Sequence, residues 1–329
     1  MNDAIIVSSR VRLARNISKY PFPNRLKNED AQQILKQMQI IFAKKEYNYI
    51  DIKSNPNIDN LVLVENHVIS VEMLKSEIDR AVFVDKNDTS SIMINEEDHI
   101  RIQSIVRGNN MENAFKYATN IDDKIEKKLE YAYNKEYGYL TACPTNVGTA
   151  MRASYMIHLP TLEVTNQIKN AVTFLGKLGV TVRGMHGEGT EAKGSMYQVS
   201  NQVTLGQSET EIIERLNDVV AQIINQEIKL RNKIYNEQKL KLTDEIYRAY
   251  GTLTNAKLIS VKEAMLLLSY LKLGVDMEII EKTFINNIDI FSLMTKIQKA
   301  NIEKSVGRKL QITERDEYRA NMIQKELRG

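Results

Sequence analysis

The chain has 329 residues, of which 43% are hydrophobic and 26% charged, and these fractions are typical of globular proteins, not of disordered or fibrous ones. Its 45 basic and 42 acidic residues nearly balance, so charge gives no indication of a nucleic-acid partner. The single cysteine excludes an internal disulfide, no apolar run of membrane-spanning length occurs and the amino terminus lacks signal-peptide features, which together predict a cytoplasmic protein without direct nucleic-acid or membrane contacts.

The first part of the chain predicts a helix followed by an antiparallel hairpin. Over residues 31–45, apolar side chains recur at three- and four-residue spacing, which is typical of an amphipathic helix. Two β-prone runs, 81–84 and 91–94, are joined by a segment of turn-forming composition. The second strand of this hairpin would end just before a run of acidic residues.

Helical and β-prone segments then alternate through the middle of the chain. The predicted elements are a helix over 111–132, strands over 139–142 and 154–159, a helix over 164–177, and strands over 181–183, 196–200 and 201–205. The strand over 181–183 runs into a glycine-rich loop at 184–189.

The last part of the chain predicts helices alone. Ser208 and Glu211 form a capping-box pattern before a long helix, and Ser260 begins a second helix that should end near Gly274. Strand signals disappear after about residue 234. We therefore predict a catalytic domain over 1–235 and a helical domain over 236–329, joined by a linker at 236–240.

Several arginines stand in short segments near glycines. The planar fork of arginine donates to two phosphate oxygens at once and its charge is permanent. We expect each of these residues beside a strand end or a turn, where it could contact a polyphosphate, although any one alone could be a solvated surface residue. They are Arg10, Arg12, Arg101, Arg152 and Arg183, with glycines at 148, 184, 187 and 189.

Acidic residues provide the second part of the predicted site. Glu96, Glu97 and Asp98 follow the hairpin, and Glu188 lies in the glycine-rich loop. A fixed carboxylate can accept a proton from a nucleophile, and two carboxylates could pair with a planar guanidinium. The acidic run could equally be a solvated turn, and Cys143 a small buried residue. Neither histidine spacing typical of a metal site nor a P-loop or protein-kinase motif occurs.

Five motifs in order make the chain resemble the guanidino (phosphagen) kinase superfamily over roughly residues 5–210. They are Ser-Ser-Arg-Val-Arg at 8–12, Asn-Glu-Glu-Asp-His-Ile-Arg at 95–101, Cys-Pro-Thr-Asn-Val-Gly-Thr at 143–149 with Arg-Ala-Ser at 152–154, Arg-Gly at 183–184 with Glu188, and Tyr-Gln-Val-Ser-Asn at 197–201. The resemblance implies an α+β fold, with an antiparallel sheet flanked by helices and a smaller all-helical C-terminal domain. It also implies reversible transfer of the ATP γ-phosphoryl group to a guanidinium nitrogen, with Mg²⁺ on the nucleotide.

The resemblance assigns expected roles to individual residues. It implies that Glu97 is the catalytic carboxylate, that Glu188 is a second acid that binds the guanidinium, and that Cys143 is a reactive cysteine that assists without a covalent intermediate. The residues implied to bind the nucleotide are Ser8, Ser9, Arg10, Val11, Arg12, His67, Arg101, Arg152, Ala153, Ser154, Tyr155, Met156, Arg183, Gly184, Met185, His186, Gly187 and Glu188.

Within the superfamily, the chain is similar to the bacterial kinases that phosphorylate arginine side chains of proteins in heat-shock regulation and proteolysis. Kinases of free guanidino metabolites carry a helical domain before the first motif, whereas seven residues precede Ser8 here. Residues 315–320 match an allosteric phosphoarginine pocket of the subfamily; without the resemblance, an exposed helix is the simpler interpretation. The residues concerned are Arg315, Asp316, Arg319 and Ala320.

The resemblance also implies partners. They are a second copy of the chain in a homodimer, a heat-shock repressor and damaged proteins as substrates, a zinc-binding activator protein and Clp-type protease machinery. Two other functions stay open from the sequence: a kinase of a free guanidino metabolite such as arginine, and a non-catalytic adaptor that binds phosphoarginine. The presence of Glu97, Glu188 and the arginines disfavours the adaptor, which would have no need of them.

Overall fold

An eight-stranded antiparallel sheet organises the amino-terminal part of the chain. This computed structural model describes residues 2–42, 46–75, 77–87, 89–177, 179–184, 192–285 and 288–328. The strands in chain order are β1 (Ile6–Arg15), β2 (Tyr47–Asp51), β3 (Ala81–Asp85), β4 (Ser90–Ile94), β5 (Ile100–Arg107), β6 (Tyr133–Asn134), β7 (Gly138–Tyr139), β8 (Met151–His158), β9 (Val180–Gly184) and β10 (Met196–Asn201). In the sheet they lie in the order β2-β3-β4-β5-β1-β8-β10-β9, and β6 and β7 form a separate ribbon.

Helices cover the sheet and make up the C-terminal part. They are α1 (Asn2–Ile5), α2 (Asn28–Ile41), α3 (Asn57–Glu65), α4 (Met111–Glu126), α5 (Pro160–Val164), α6 (Ile168–Lys177), α7 (Glu209–Asn255), α8 (Val261–Asp276), α9 (Ile290–Lys296), α10 (Lys299–Val306) and α11 (Ile312–Arg328). Within the described residues, none of these helices is both long and apolar enough to cross a membrane.

The two faces of the sheet differ because side chains alternate along each strand. On one face, Val11 and Leu13 of β1 are buried with Ala153 of β8 and the apolar sides of α2, α4 and α7. The other face carries arginines and other polar side chains near its centre. The alternation in the sequence of β1 therefore separates a packed core from a polar surface.

The C-terminal helices form a second core that is separate from that of the sheet. Leu242, Ile246, Leu268 and Ile323 belong to it, and all four are buried. The fold is thus an antiparallel sheet flanked by helices with a helical C-terminal region, which confirms the predicted fold class. The domain boundary at residues 235–236 stays a prediction.

The predicted linker lies within a helix. α7 continues through residues 236–240, and its backbone departs from helical geometry at Gln238, with φ −139° and ψ 35°. The hydrogen-bonded helix therefore joins the two cores through a kink instead of an extended segment.

Several predicted elements are confirmed, including the β3–β4 hairpin and the capping box between Ser208 and Glu211. The strand predicted over 139–142 is wrong in extent, because only Gly138–Tyr139 pairs, and it pairs with β6 outside the main sheet. The strand predicted over 201–205 is also wrong: β10 ends at Asn201. Its side chain donates to the carbonyls of Met151 and Val203 at 3.1 Å, which turns the chain away from the sheet.

Two helix predictions also need correction, and the first is the helix predicted over 111–132, because α4 ends at Glu126. The helix predicted over 164–177 is interrupted between α5 and α6, where Asn166 adopts a φ of 55°. α8 ends at Asp276, near the predicted position, with Gly274 still inside the helix. A Cβ atom at position 274 would lie 2.4 Å from Cγ2 of Ile246, so this glycine permits close contact between α8 and α7 instead of ending the helix.

Candidate active site

Four of the predicted arginines lie on the polar face of the central strands. In the pairing of β1 with β8, Arg12 is opposite Arg152, and in the pairing with β5, Ala14 is opposite Arg101. Arg10 lies two residues before Arg12 and so projects from the same face. Arg10 and Arg12 stand within β1, whereas Arg101 and Arg152 are each the second residue of their strand and so lie beside a strand end, as predicted. The antiparallel register brings them together from three distant segments.

The arginines are close enough to repel one another. Burial and then the charges of Arg101 and Arg152 lower the pKa of Arg10 to about 9. Burial, Arg101 and Arg10 hold the pKa of Arg12 well below its ordinary value. Burial, followed by Arg183 and Arg101, also lowers the pKa of Arg152. A cluster of cations that lose hydration without equal counter-charge has the electrostatics to attract an anion of high charge.

Gln103 and Ser70 are polar residues of this site that the sequence interpretation missed. Gln103 is buried on β5; its side-chain oxygen accepts from Arg10, and its amide donates to the carbonyl of His67 at 2.7 Å. Ser70 donates to the carboxylate of Glu96. The alternation of Arg101 with Gln103 in β5 could have signalled that both face one side.

Two adjacent glutamates have different surroundings. The Glu96 carboxylate is buried and accepts from Nη1 of Arg101 at 2.5 and 2.6 Å. Burial would raise its pKa, but Arg101 and the Ser70 hydroxyl outweigh burial and hold the pKa of Glu96 below its ordinary value. Glu96 is therefore the fixed counter-ion of Arg101.

Glu97 is exposed, and its carboxylate accepts no hydrogen bond from any residue that the structure describes. Partial burial and the charges of Asp98 and Glu96 raise its pKa, while Arg101 and Arg12 act in the opposite direction. Glu97 thus has a free carboxylate beside the arginine cluster, with a proton affinity above that of an ordinary glutamate.

The loop that carries Glu97 is held by buried hydrogen bonds. Asp98 accepts from the Asn16 side chain at 2.6 Å and from the backbone amide of Ala142 at 2.7 Å. His99 is buried, and its Nδ1 accepts from the amide of Ile17 at 3.0 Å. Loss of hydration lowers the pKa of His99 to about 4, so this ring is neutral near neutral pH. Asp98 and His99 therefore fix the loop that presents Glu97.

Cys143 lies at the start of a 3₁₀ turn over Pro144–Asn146 and is partly exposed. Its Sγ is 3.0 Å from Oγ1 of Thr145. Both Cys143 and Glu97 act on the pKa of Arg152, so the three groups share one electrostatic environment. The structure thus brings the cysteine to the same region as the arginines and Glu97.

The turn after Cys143 depends on a close backbone approach. Gly148 has a φ of 116°, and a Cβ atom there would lie 2.2 Å from the carbonyl oxygen of Thr204. The Thr204 hydroxyl donates to the carbonyls of Thr145 and Val147 at 3.1 and 2.7 Å. Gly148 therefore permits this packing, and its approach to an anion stays a prediction.

Some predicted nucleotide-binding residues face away from the arginine cluster. The Ser9 hydroxyl donates to the carbonyl of Gly108 at 2.8 Å, and Tyr155 donates to Asn217 at 2.7 Å. Val11 and Ala153 are fully buried in the core beneath the sheet. These side chains cannot contact a ligand on the polar face, because the sheet lies between.

Other predicted residues lie on or near the polar face. Ser154 is opposite Arg10 in the β1–β8 pairing, and Met156 is opposite Ser8. Arg183 is exposed on the edge strand β9, and Gly184 ends that strand. The remaining residues of the predicted site, Met185, His186, Gly187 and Glu188, lie outside the described residues.

A cavity of ≈ 570 Å³ opens beside Glu97. Glu77, Glu96 and Glu97 supply acidic groups to its wall, and Lys75 and Arg80 supply basic ones. Its apolar wall includes Leu26 and Ile78. A planar cationic side chain inserted here could reach the Glu97 carboxylate.

The C-terminal motif is engaged within the helical region. Arg319 is buried and donates to the carbonyls of Ile297 and Ile259 at 3.0 and 2.8 Å and to Asp316 at 2.5 Å. Arg315 donates to Glu303 at 3.2 Å. Ala320 is fully buried in the second core, so the motif is not the exposed helix of the simpler interpretation.

Two protein families match the chain in succession. Residues 28–230 match the family described as ATP:guanido phosphotransferase, C-terminal catalytic domain. Residues 239–329 match the family described as protein-arginine kinase McsB C-terminal domain. The two matches leave only a short interval around the kink of α7.

Similar proteins share nearly the whole length. Protein-arginine kinases from Halothermothrix orenii and Clostridium kluyveri are 43% and 44% identical over 98% and 99% of this chain, and over 93% and 95% of their own lengths. The protein-arginine kinase of Bacillus subtilis is 42% identical over 98% of this chain and 90% of its own.

Solved structures share the sheet. The duplicated taurocyamine kinase of Schistosoma mansoni, with bound transition-state-analogue components, superposes with a TM-score of 0.63 at 25% identity, covering 78% of this chain and 38% of that one. A lombricine kinase structure gives a TM-score of 0.63 at 25% identity, covering 71% and 69%.

Proposed function

The chain belongs to the ATP:guanido phosphotransferase family, and from that premise we propose that it is an ATP-dependent protein-arginine kinase that transfers the γ-phosphoryl group to the guanidinium of arginine side chains in proteins. One observation carries this proposal: a cluster of arginines with one fixed carboxylate partner, Glu96, among the described residues lies beside a free carboxylate, Glu97, that lines an open cavity. Full-length relatives named protein-arginine kinase supply the class of acceptor.

The arginine cluster would hold the phosphates of ATP. Arg10, Arg12 and Arg152 are held in place by strands on both sides, so little reorganisation is needed when charge develops on the transferred group. Positioning and electrostatic stabilisation are the main contributions to phosphoryl transfer. The proposed nucleotide-binding surface also includes Ser8, Ser154, Met156, Arg183 and Gly184. We propose that His67 contacts the nucleotide as well.

In the proposed reaction, a nitrogen of the target guanidinium attacks the γ-phosphorus. A P–N bond forms as the bond from the γ-phosphorus to the β,γ-bridging oxygen breaks, and ADP leaves with that electron pair. The proton that the nitrogen loses passes to the Glu97 carboxylate, and the raised pKa of Glu97 suits it to accept that proton. We propose that Glu188 pairs with the guanidinium and that Cys143 assists from the neighbouring turn.

Magnesium would arrive with the nucleotide. Over the described part of the chain, no group of three or more His, Cys, Asp or Glu side chains could hold a metal ion. Mg²⁺ is commonly held by substrate phosphates with one or two protein ligands, so we treat the Mg²⁺ complex of ATP as the substrate. The arginines then contact the phosphate oxygens that the metal leaves free.

The test is a transfer assay with ATP and an arginine-rich protein, analysed by mass spectrometry. We expect an acid-labile phosphoramidate on arginine, and we expect Glu97→Ala to abolish transfer while ATP still binds. Glu112→Ala, which changes an exposed carboxylate on α4 that does not line the cavity, is the matched control and should retain transfer. Turnover of free arginine without labelling of protein would instead identify a metabolite kinase, and equal activity of wild type and Glu97→Ala would indicate an adaptor.

Further parts of the function rest on the resemblance. We propose that the chain works in the cytoplasm as a homodimer, that a heat-shock repressor and damaged proteins are substrates, and that a zinc-binding activator and Clp-type protease machinery are partners. We also propose that Arg315 and Asp316 bind phosphoarginine with Arg319 and Ala320 behind them. The partly exposed position of Asp316 supports this, since its carboxylate could accept from a guanidinium.

A further inference from the structure

Glu65 caps a helix that is far from it in the sequence. Its two carboxylate oxygens accept from the backbone amides of Ala300 and Asn301 at 2.8 and 2.9 Å, and the Asn301 side chain donates to it at 2.9 Å. These amides lie in the first turn of α10, whose own N-cap residue, Gln298, makes no side-chain cap. Glu65 therefore supplies from the catalytic part the cap that α10 lacks.

Glu65 is also the last residue of α3, immediately before the turn that presents His67. His67 has a φ of 60°, a conformation that costs a non-glycine residue roughly 1 kcal/mol or more. The amide of His67 donates to the carbonyl of Val64 at 3.0 Å. The turn thus holds a strained conformation that depends on how the end of α3 is fixed.

The carbonyl of His67 then orients a residue of the arginine cluster. It accepts from the Gln103 amide at 2.7 Å, and the Gln103 oxygen accepts from Nη2 of Arg10. Nε of Arg10 is buried and has no hydrogen-bond partner among the described residues. The direction of the Arg10 guanidinium therefore depends strongly on Gln103.

α10 is fixed on its other side by the C-terminal helices. On that side, Glu303 of α10 accepts from Arg315 of α11 at 3.2 Å. On the side of α3, Lys304 of α10 pairs with Asp59 in the first turn of α3 at 2.6 Å. α10 packs between α3 and α11, so the helical region determines its position. A continuous set of hydrogen bonds and backbone then leads from α10 through Glu65, His67 and Gln103 to Arg10.

We propose that Glu65 is a positioning residue for ATP binding: by capping α10 it fixes the turn at His67, and through Gln103 it aims Arg10 at the nucleotide phosphates. This inference rests on the proposed function, because it takes Arg10 to be a phosphate ligand. Through this connection, the helical C-terminal region would contribute to the geometry of the ATP site.

The test uses the full chain and the variants Glu65→Gln and Gln103→Leu, alone and combined. Glu65→Gln introduces an amide opposite two amide donors, and the loss of hydrogen bonds to a charged group should raise KM for ATP and Kd for ADP about tenfold, with kcat within about twofold. Gln103→Leu should have a similar effect. The double variant should be no weaker than Gln103→Leu, because both act through one connection.

Asp59→Asn is the matched control. It breaks the other charged contact between α3 and α10, but it lies at the far end of α3 from His67. It should leave Kd for ADP unchanged, and Glu65→Asp, which keeps the charge, should recover part of the affinity lost in Glu65→Gln. Melting temperatures, measured on every variant, show that each folds.

Three results would overturn the inference: unchanged ADP affinity in Glu65→Gln, an equal loss in Asp59→Asn, or full additivity of Glu65→Gln and Gln103→Leu. Binding of ADP is measured without any acceptor protein. A wild type that binds ADP but leaves arginine unmodified would therefore count against the proposed function alone, while unchanged affinity of Glu65→Gln would count against this inference alone.

Discussion

At the scale of single residues, the concentrated positive charge of the arginine cluster lowers the stability of the unliganded protein. Arg10, Arg12 and Arg152 lie near one another, and the structure gives a fixed carboxylate partner to Arg101 alone among the four central arginines within the described residues. Burial and mutual repulsion work against folding, as the lowered pKa values of these guanidinium groups indicate. A bound polyphosphate would relieve this repulsion. The free energy by which the repulsion destabilises the unliganded protein would then contribute to affinity for the nucleotide.

We expect Arg12→Met to separate these two effects. The free energy of unfolding of the unliganded protein should stay the same or rise by about 1 kcal/mol, because a repelled cation is removed. Affinity for ATP should fall tenfold or more, since a charge-assisted contact contributes roughly 1.5–3 kcal/mol. Denaturant unfolding and calorimetric titration measure the two quantities.

Arg107→Met is the control for Arg12→Met. Arg107, on β5, projects from the same face of the sheet as Arg12, but it is highly exposed and pairs with Asp289. Its affinity for ATP should match that of wild type. A large loss of stability in Arg12→Met with unchanged affinity would contradict a binding role for Arg12.

At the scale of elements, α7 connects the two cores through a buried ionic group. Arg231 is fully buried and donates to Glu227 at 2.9 Å, to Asp276 of α8 and to the carbonyl of His158, both at 3.4 Å. Glu227 also accepts from the amides of Thr161 and Leu162, which begin α5. Each charge is satisfied from several elements, so the group fixes α5, α8 and the end of β8 against α7.

Arg231→Met should lower the free energy of unfolding by about 3–5 kcal/mol, because it leaves the buried Glu227 carboxylate without its cationic partner, whereas Asp276 keeps its pair with Lys272. Arg248→Met is the comparison, since Arg248 makes an i,i+4 pair with Asp244 on the same helix but is 77% exposed. That change should cost about 0.5 kcal/mol or less. Equal losses in the two variants, measured by denaturant unfolding, would show that the buried group does not hold these elements together.

At the scale of the whole molecule, the C-terminal motif and the catalytic sheet are linked by packing. Arg319 ties α11 to the chain before α8 and to the end of α9. Arg315 reaches Glu303 on α10, and α10 contacts α3. A ligand that drew Arg315 away from Glu303 would therefore act on the helix that Glu65 caps.

For the proposed phosphoarginine site, we expect Asp316→Ala to keep basal transfer but to lose any change in rate caused by added phosphoarginine. Arg319 would keep its two backbone carbonyl partners, so the fold should remain. The exposed neighbour Glu317 provides the control variant Glu317→Ala, which should respond as wild type does. Titration of the transfer rate with phosphoarginine measures the effect, and an unchanged response in Asp316→Ala would remove Asp316 from the site.

The sequence by itself determined the fold class, the chemical identity of the cluster and the helix caps at Ser208 and Ser260, because alternation, helical period and capping are local properties. Local patterns also predicted strands over 139–142 and 201–205. There tertiary hydrogen bonds overrode the propensity, from the Asn201 side chain to the carbonyl of Met151 and from the Tyr139 amide to the carbonyl of Gly148.

Only the tertiary structure decided which side chains share a surface. Strand register placed Arg12 against Arg152 and turned Val11, Ala153 and Tyr155 into the core, although all of them stand in the same motifs. Glu65 showed no signal in the sequence, because its partner Ala300 lies 235 residues away. The alternation along β5 indicated the face of Gln103 but not its contact with Arg10, which lies 93 residues away. Register and long-range packing bring together residues whose separation along the chain carries no periodic pattern, and so the arginine cluster could be named from the sequence but its geometry could not.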